Sequence, residues 1–113
     1  MSDLIRMTAT QIVDGLRAGS ISPLDCIDAL ETRIAAVDGM VNALPTRCFD
    51  RAREHARQLM ARPIDERGAL AGLPVPIKDL TDVAGVRSTQ GSPIYKDRIA
   101  PHPMCSSPIS KAR

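Results

Sequence analysis

Residues 72–80 read Gly-Leu-Pro-Val-Pro-Ile-Lys-Asp-Leu and place a lysine at the end of a short apolar run. The β-branched residues Val75 and Ile77 predict a strand over 75–78. A lysine carried into the interior by such a strand loses hydration, so its pKa falls, and a neutral amine can act as a general base. From these residues alone, the simpler interpretation is a surface Lys78 whose stem covers apolar neighbours, with a solvated Asp79 beside it.

A longer pattern over residues 70–92, LAGLPVPIKDLTDVAGVRSTQGS, changes that interpretation. It resembles the signature of the amidase signature family, Gly-(Ile/Leu/Val)-Pro-x-x-(Ile/Val)-Lys-Asp, followed by x-x-x-Val-x-Gly, a Ser/Thr pair and Gly-Ser. The matched positions are Gly72, Leu73, Pro74, Ile77, Lys78, Asp79, Val83, Gly85, Ser88, Thr89, Gly91 and Ser92. The resemblance extends over residues 4–101, since Ser22-Pro23-Leu24 and Val41-Asn42-Ala43-Leu44 also fit it.

This resemblance implies a hydrolase of amide C–N bonds that uses a Ser–cis-Ser–Lys triad and needs no metal or cofactor. Lys78 matches the base of the triad, which takes a proton from the serine on the cis peptide. The two serines belong to a downstream Gly/Ser-rich stretch that this chain does not contain. The chain is therefore expected to bind a small-molecule amide only as part of a complete enzyme, and to be inactive alone.

The implied fold is α/β, with N-terminal helices and the first strand of an α/β/α mixed-sheet fold that is incomplete in this chain. Residues 1–101 would form the N-terminal part of this domain, and residues 102–113 an aberrant or disordered tail. The tail has no periodicity. With GC-rich codons, an adjacent reading frame of the tail gives Asp-Val-Leu-Val-Ala-Asp-Ile-Glu-Gly-Ala, similar to the family's usual continuation. A frameshift near Pro103 is thus one interpretation, and a variable C-terminal tail is the other.

Capping residues and apolar periodicity predict three helices in the first two-thirds of the chain. The first follows Thr8, which has capping-box spacing with Gln11, and ends at Gly19. The second begins at Ser22, with a proline in its first turn, and ends at Gly39. The third covers residues 50–61, and its charged residues are spaced for ion pairs along the helix.

Composition excludes several functional classes. The chain has 113 residues, enough for one small domain, and a net charge of +2, too small to indicate binding to nucleic acid or to a membrane surface. It contains no apolar run of membrane-spanning length and no leader, which favours a cytoplasmic protein. Its aromatic content of 2% indicates a core that relies on aliphatic packing and on partners.

The three cysteines, Cys26, Cys48 and Cys105, are an odd number and are predicted to be free thiols. Cys26 falls on the apolar face of the second helix and is predicted to be buried. His102 and Cys105 have the spacing of half a zinc site, but no second half exists, so no metal is predicted.

An alternative of another class is a small helical protein-interaction module, in which the apolar faces of the first two helices bind a partner and Lys78 is incidental. Within the enzyme interpretation, the sequence does not separate a free amidase from one component of an amidotransferase. The absence of a recognisable ammonia-channel feature favours the free amidase.

Overall fold

Reciprocal side-chain caps start the first two helices of the computed structural model, which describes residues 3–102. Helix α1 covers Ala9–Ala18, and the Thr8 hydroxyl accepts the amide of Gln11 at 3.2 Å while Gln11 accepts the amide of Thr8 at 2.8 Å. Helix α2 covers Pro23–Val41 and repeats this arrangement with Ser22 and Asp25. Both predicted N-termini are therefore confirmed.

The ends of these two helices differ in how well the sequence predicts them. Gly19 ends α1 in the left-handed conformation, as predicted. The predicted end of α2 at Gly39 is wrong, because the helix continues to Val41 and stops at Asn42, whose φ is 53°. Asp38 fixes this later end by accepting the amide of Ala43 at 2.8 Å. Asparagine tolerates the left-handed region, so it supplies the stop that glycine was expected to give.

Helix α3 covers Phe49–Met60 and is tied to α2 by Arg53. The Arg53 guanidinium bonds to Asp28 at 2.8 Å and also to Glu31, both on α2. The sequence predicted ion pairs within α3. Glu54 and Arg57 do approach to 3.7 Å, but Arg53 links the two helices instead.

Buried apolar residues of residues 3–74 lie on all three helices, and one cluster of them joins α1 and α2 to the following loop. Leu16 of α1, Cys26 of α2 and Ala71 of the following loop are between 0% and 6% exposed and pack together. Ile12, Ile21 and Leu73 cover this cluster. The prediction that Cys26 is a core residue is confirmed. Cys26 and Cys48 are both free thiols, and Cys105 lies outside the described residues.

Residues 75–102 form a second compact unit held by loop-to-loop hydrogen bonds. Arg87 and Ile99 make an isolated antiparallel bridge, flanked by the Gly85 amide on the Ala100 carbonyl at 2.7 Å and the Ser88 amide on the Arg98 carbonyl at 3.0 Å. Short 3-10 turns are found at Leu4–Arg6, Ile64–Glu66 and Pro93–Tyr95.

The predicted first strand, Val75–Lys78, is not formed: in the described residues the only β-type pairing is the isolated bridge. A strand needs a partner that accepts and donates backbone hydrogen bonds, and Pro76 removes one of the four amide donors of residues 75–78. The described part of the chain is therefore helical with irregular loops, and the first strand of the expected α/β fold is not formed in it. None of its helices could cross a bilayer. The expectations for the tail beyond His102 fall outside the described residues.

Gly72, the first glycine of the amidase-like pattern, sits where a side chain cannot fit. Its φ is +103°, and a Cβ would lie 2.6 Å from Pro23 Cγ and 3.1 Å from Leu59 Cδ2. Glycine is required here both by the backbone angle and by contact with the start of α2.

Gly72→Ala is expected to destabilise residues 3–74 by about 2–5 kcal/mol, combining left-handed strain with overpacking against Pro23. Gly68→Ala is the matched control, because its φ is +80° but nothing lies within 4 Å of its Cβ position. Urea unfolding followed by circular dichroism measures both. Equal losses in the two variants would contradict the packing role.

Candidate active site

The ammonium of Lys78 is at the surface of the chain. Lys78 is exposed, and its carbonyl accepts the amide of Thr81 at 2.9 Å in a turn that begins directly after the apolar run. Its neighbours Val75 and Ile77 are 55% and 57% exposed. The interior position that the sequence predicted for this lysine is thus not reached within residues 3–102.

Asp79 fixes the chain directly after Lys78 by binding the loop at residues 88–90. One carboxylate oxygen accepts the amide of Thr89 at 2.8 Å and the other accepts the Thr89 hydroxyl. The Asp79 carbonyl accepts the amide of Gln90 at 3.2 Å. The bonds from Thr89 hold the pKa of Asp79 below its usual value, since they stabilise the carboxylate.

Asp82, directly after this turn, forms a two-point ion pair with Arg98. The two guanidinium nitrogens lie 2.8 and 2.6 Å from its two oxygens, and the Asp82 side chain is 10% exposed. This pairing lowers the pKa of Asp82, with a further contribution from the Ser88 hydroxyl. Two parallel charge-assisted bonds set orientation as well as distance, so the pair fixes residue 98 relative to the turn.

Ser88 and Ser92, the two serines of the pattern, make hydrogen bonds within the loop. Ser88 is 2% exposed and its hydroxyl points to the Asp79 carbonyl at 3.5 Å. The Ser92 hydroxyl accepts the amide of Ile94 at 3.3 Å and starts the short turn Pro93–Tyr95. Gly85 and Gly91 have φ values of 75° and 73°, which agrees with the predicted need for glycine at both positions.

The pattern thus brings Asp79 and Thr89 together beside Lys78, but it gives the lysine no partner. Within residues 3–102, the Lys78 ammonium makes no hydrogen bond or ion pair, and no cluster of three or more His, Cys, Asp or Glu side chains is placed to hold a metal. The arrangement presents an exposed lysine on an anchored loop. Catalysis would need a nucleophile supplied by another segment.

Sequence reasoning missed the roles of three of these residues. Thr89 was matched to the family pattern without a function, and Asp82 and Arg98 were not selected at all. The spacing of Asp79 and Asp82 around a turn was the available signal, because carboxylates at such positions often accept nearby amides. No sequence feature near Arg98 indicates that its guanidinium binds Asp82.

Comparison with known proteins identifies the family. The sequence profile described as Amidase matches residues 25–104, most of the chain. The chain is 41% identical over 98 residues to a glutamyl-tRNA(Gln) amidotransferase subunit from Azotobacter vinelandii, covering 86% of this chain and 20% of that protein. It is 35% identical over 100 residues to an amidase of Pseudomonas putida, covering 85% and 21% respectively.

A third relative is a 1-carboxybiuret hydrolase subunit from Pseudomonas sp. strain ADP, 40% identical over 95 residues, with coverage of 80% of this chain and 20% of the relative. No solved structure matches the chain. The chain belongs to the amidase family, and it spans about one fifth of the length of the curated relatives it matches. This membership confirms the resemblance read from residues 72–92.

Asp79→Asn is expected to reduce the exchange protection of the Thr89 amide severalfold, because a neutral amide accepts hydrogen bonds less strongly than a carboxylate. Asp97→Asn, at an exposed site of the same unit, should leave the Thr89 amide unchanged. Residue-resolved hydrogen exchange, expressed as protection factors, measures the difference.

Lowering the pH should reduce protection of the Thr89 amide, as Asp79→Asn does. Because the pKa of Asp79 is lowered on folding, its stabilisation is complete above the ordinary value of 3.8 and is lost as the pH falls through the lower folded value. Protection at Thr89 that is independent of pH down to full protonation would contradict the role of the carboxylate.

Proposed function

We propose that this chain is the lysine-bearing segment of an amide C–N hydrolase, with Lys78 as the general base. The observation that carries the proposal is the exposed Lys78 beside an anchored Asp79, inside a pattern that belongs to the amidase family. The substrate would be a small-molecule amide, and the reaction would use neither metal nor cofactor. In the complete enzyme, the helices would cover an α/β/α mixed sheet to which residues 75–78 contribute a strand.

The engagement of Asp79 supports this role for Lys78. Both carboxylate oxygens of Asp79 accept hydrogen bonds from Thr89, so they hold the loop and do not bind the lysine side chain. Lys78 is exposed, which leaves its side chain available to a group supplied by another segment.

By resemblance to the family, the amine would take a proton from the cis-peptide serine, and that serine would activate the nucleophilic serine. Neither serine is supplied by Ser88 or Ser92, since Ser88 is buried and Ser92 caps a turn. The chain alone is therefore expected to give no turnover, because covalent catalysis is absent without a nucleophile.

Two alternatives from the sequence bear on the scope of this proposal. Membership of the amidase family favours the enzyme over the helical interaction module, because the matched region includes residues 72–92 and not only the helices. The relatives are named both as an amidase and as components of an amidotransferase, so the proposal stops at the amide C–N bond. A cytoplasmic location stays a prediction.

The test is a chimera in which residues 1–101 replace the matched segment of the Pseudomonas putida amidase. The chimera should hydrolyse amides, whereas Lys78→Ala should lower kcat/KM by about 10²–10⁴-fold, the usual contribution of a general base. Lys78→Arg should lose nearly as much, since a guanidinium cannot accept the proton. Lys96→Ala, at an exposed lysine of the same unit, is the matched control and should keep full activity.

Each contrary result has a distinct meaning. Activity retained by Lys78→Arg would show that the residue acts as a fixed charge and not as a base. Activity retained by Lys78→Ala would remove Lys78 from the mechanism. An inactive but folded native chimera would contradict the proposal that this segment is competent for catalysis.

A further inference from the structure

The turn that follows Lys78 is closed by a backbone bond and is then tied down by a side chain from a later part of the chain. The Thr81 amide donates to the Lys78 carbonyl at 2.9 Å. The next residue, Asp82, accepts bonds from both terminal nitrogens of the Arg98 guanidinium, at 2.8 and 2.6 Å. Arg98 therefore holds the chain directly after the turn that carries the candidate base.

Arg98 also contacts the loop that anchors Asp79. Its carbonyl accepts the Ser88 amide at 3.0 Å, and its guanidinium lies 3.5 Å from the Ser88 carbonyl. The neighbouring residue, Thr89, binds both carboxylate oxygens of Asp79. One arginine thus connects Asp82, at one end of the turn, to the loop that binds Asp79 at the other end.

The ion pair of Arg98 with Asp82 is shielded from water. The Asp82 side chain is 10% exposed and the Arg98 side chain is 30% exposed. A carboxylate in such a position depends on its cationic partner, and removal of that partner leaves a charge that is poorly solvated. The chain around Asp82 would then rearrange until water reaches the carboxylate, and the adjoining turn would move with it.

The position of this turn matters because a general base works only at hydrogen-bond distance from the atom that gives up its proton. Lys78 is exposed, and a lysine side chain is a long, flexible stem. Little of its orientation comes from packing of the side chain, so the anchored backbone has to supply it. A displacement of about 1 Å can lower the rate of a catalysed step by about 10²-fold.

We propose that Arg98, acting through Asp82, is a positioning residue that holds the Lys78 turn in the geometry needed for proton transfer. Arg98 touches none of the reacting atoms in this role, because it fixes only the backbone from which the base extends. The inference rests on the proposed role of Lys78 as general base. It adds a residue that lies outside the amidase-like pattern of residues 70–92.

The test uses the chimera of residues 1–101 with the Pseudomonas putida amidase. Arg98→Met should lower kcat by about 10–100-fold and leave KM within about twofold, because the change displaces the base and not the substrate. Arg98→Lys should recover part of the loss, since an ammonium keeps the charge but lacks the two-point fit to a carboxylate. Lys96→Met, at an exposed cation of the same unit, is the matched control and should keep full activity.

A second background separates positioning from a general loss of structure. In the Lys78→Ala chimera, Arg98→Met should change the residual kcat by less than about twofold, because the base that Arg98 positions is already absent. A purely structural role would lower kcat by the same factor in both backgrounds. Asp82→Asn combined with Arg98→Met should lose no more activity than Arg98→Met alone, since the two side chains act as one unit.

The geometry can also be measured without any activity, in the 113-residue chain itself. Arg98→Met should lower the hydrogen-exchange protection of the Thr81 amide severalfold, because the bond of this amide to the Lys78 carbonyl depends on the anchored turn. The Ile12 amide of α1, in the other unit, should keep its protection. Arg98→Lys provides the same comparisons through a milder change if Arg98→Met does not fold.

Three results would overturn the inference. The first is full kcat of Arg98→Met in a chimera that Lys78→Ala inactivates, a result that would leave the proposed base supported. The second is an equal loss of kcat with and without Lys78, or a loss expressed only in KM. The third is unchanged protection of the Thr81 amide. Full activity of Lys78→Ala would instead overturn the proposed function, and this inference with it.

Discussion

The bond between Asp79 and Thr89 determines how residues 75–102 are arranged. It joins the residue after Lys78 to a loop ten positions later, and the Asp82–Arg98 pair extends the connection towards residue 100. Besides these two side-chain links, Arg87 and Ile99 form an isolated backbone bridge and not a continuous ladder. Because the unit has few buried apolar residues, polar contacts carry an unusually large part of its organisation.

Helix starts could be read from the sequence because they depend on neighbours. Thr8 and Ser22 satisfy amides three residues away, so the evidence for each cap lies within one turn. The end of α2 could not be read in the same way. Gly39 looked like a stop, yet the helix passes through it, because Asp38 and Asn42 together satisfy the groups that follow.

The strand expected at Val75–Lys78 depends on residues that are distant in the sequence, unlike the helix starts. Its composition is right for a strand, but a strand is completed by pairing, and pairing depends on a segment that the local sequence does not reveal. The same holds for Arg98, whose partner Asp82 is set by the path of the loop. The family was therefore predictable from the pattern around Lys78, whereas the contacts that anchor this loop were not.

The contact between Gly72 and Pro23 joins two features that were recognised separately, the signature glycine and the proline that opens a helix. Gly72 is explained by its backbone angle and Pro23 by its place in the first turn of α2. The size of residue 23 nevertheless limits which side chain fits at position 72. A smaller residue at the start of α2 would make room at position 72, although the backbone angle there would still favour glycine. Among proteins with this architecture, we expect substitutions at positions 23 and 72 to be correlated. One glycine of the signature is then required by helix packing and not by catalysis.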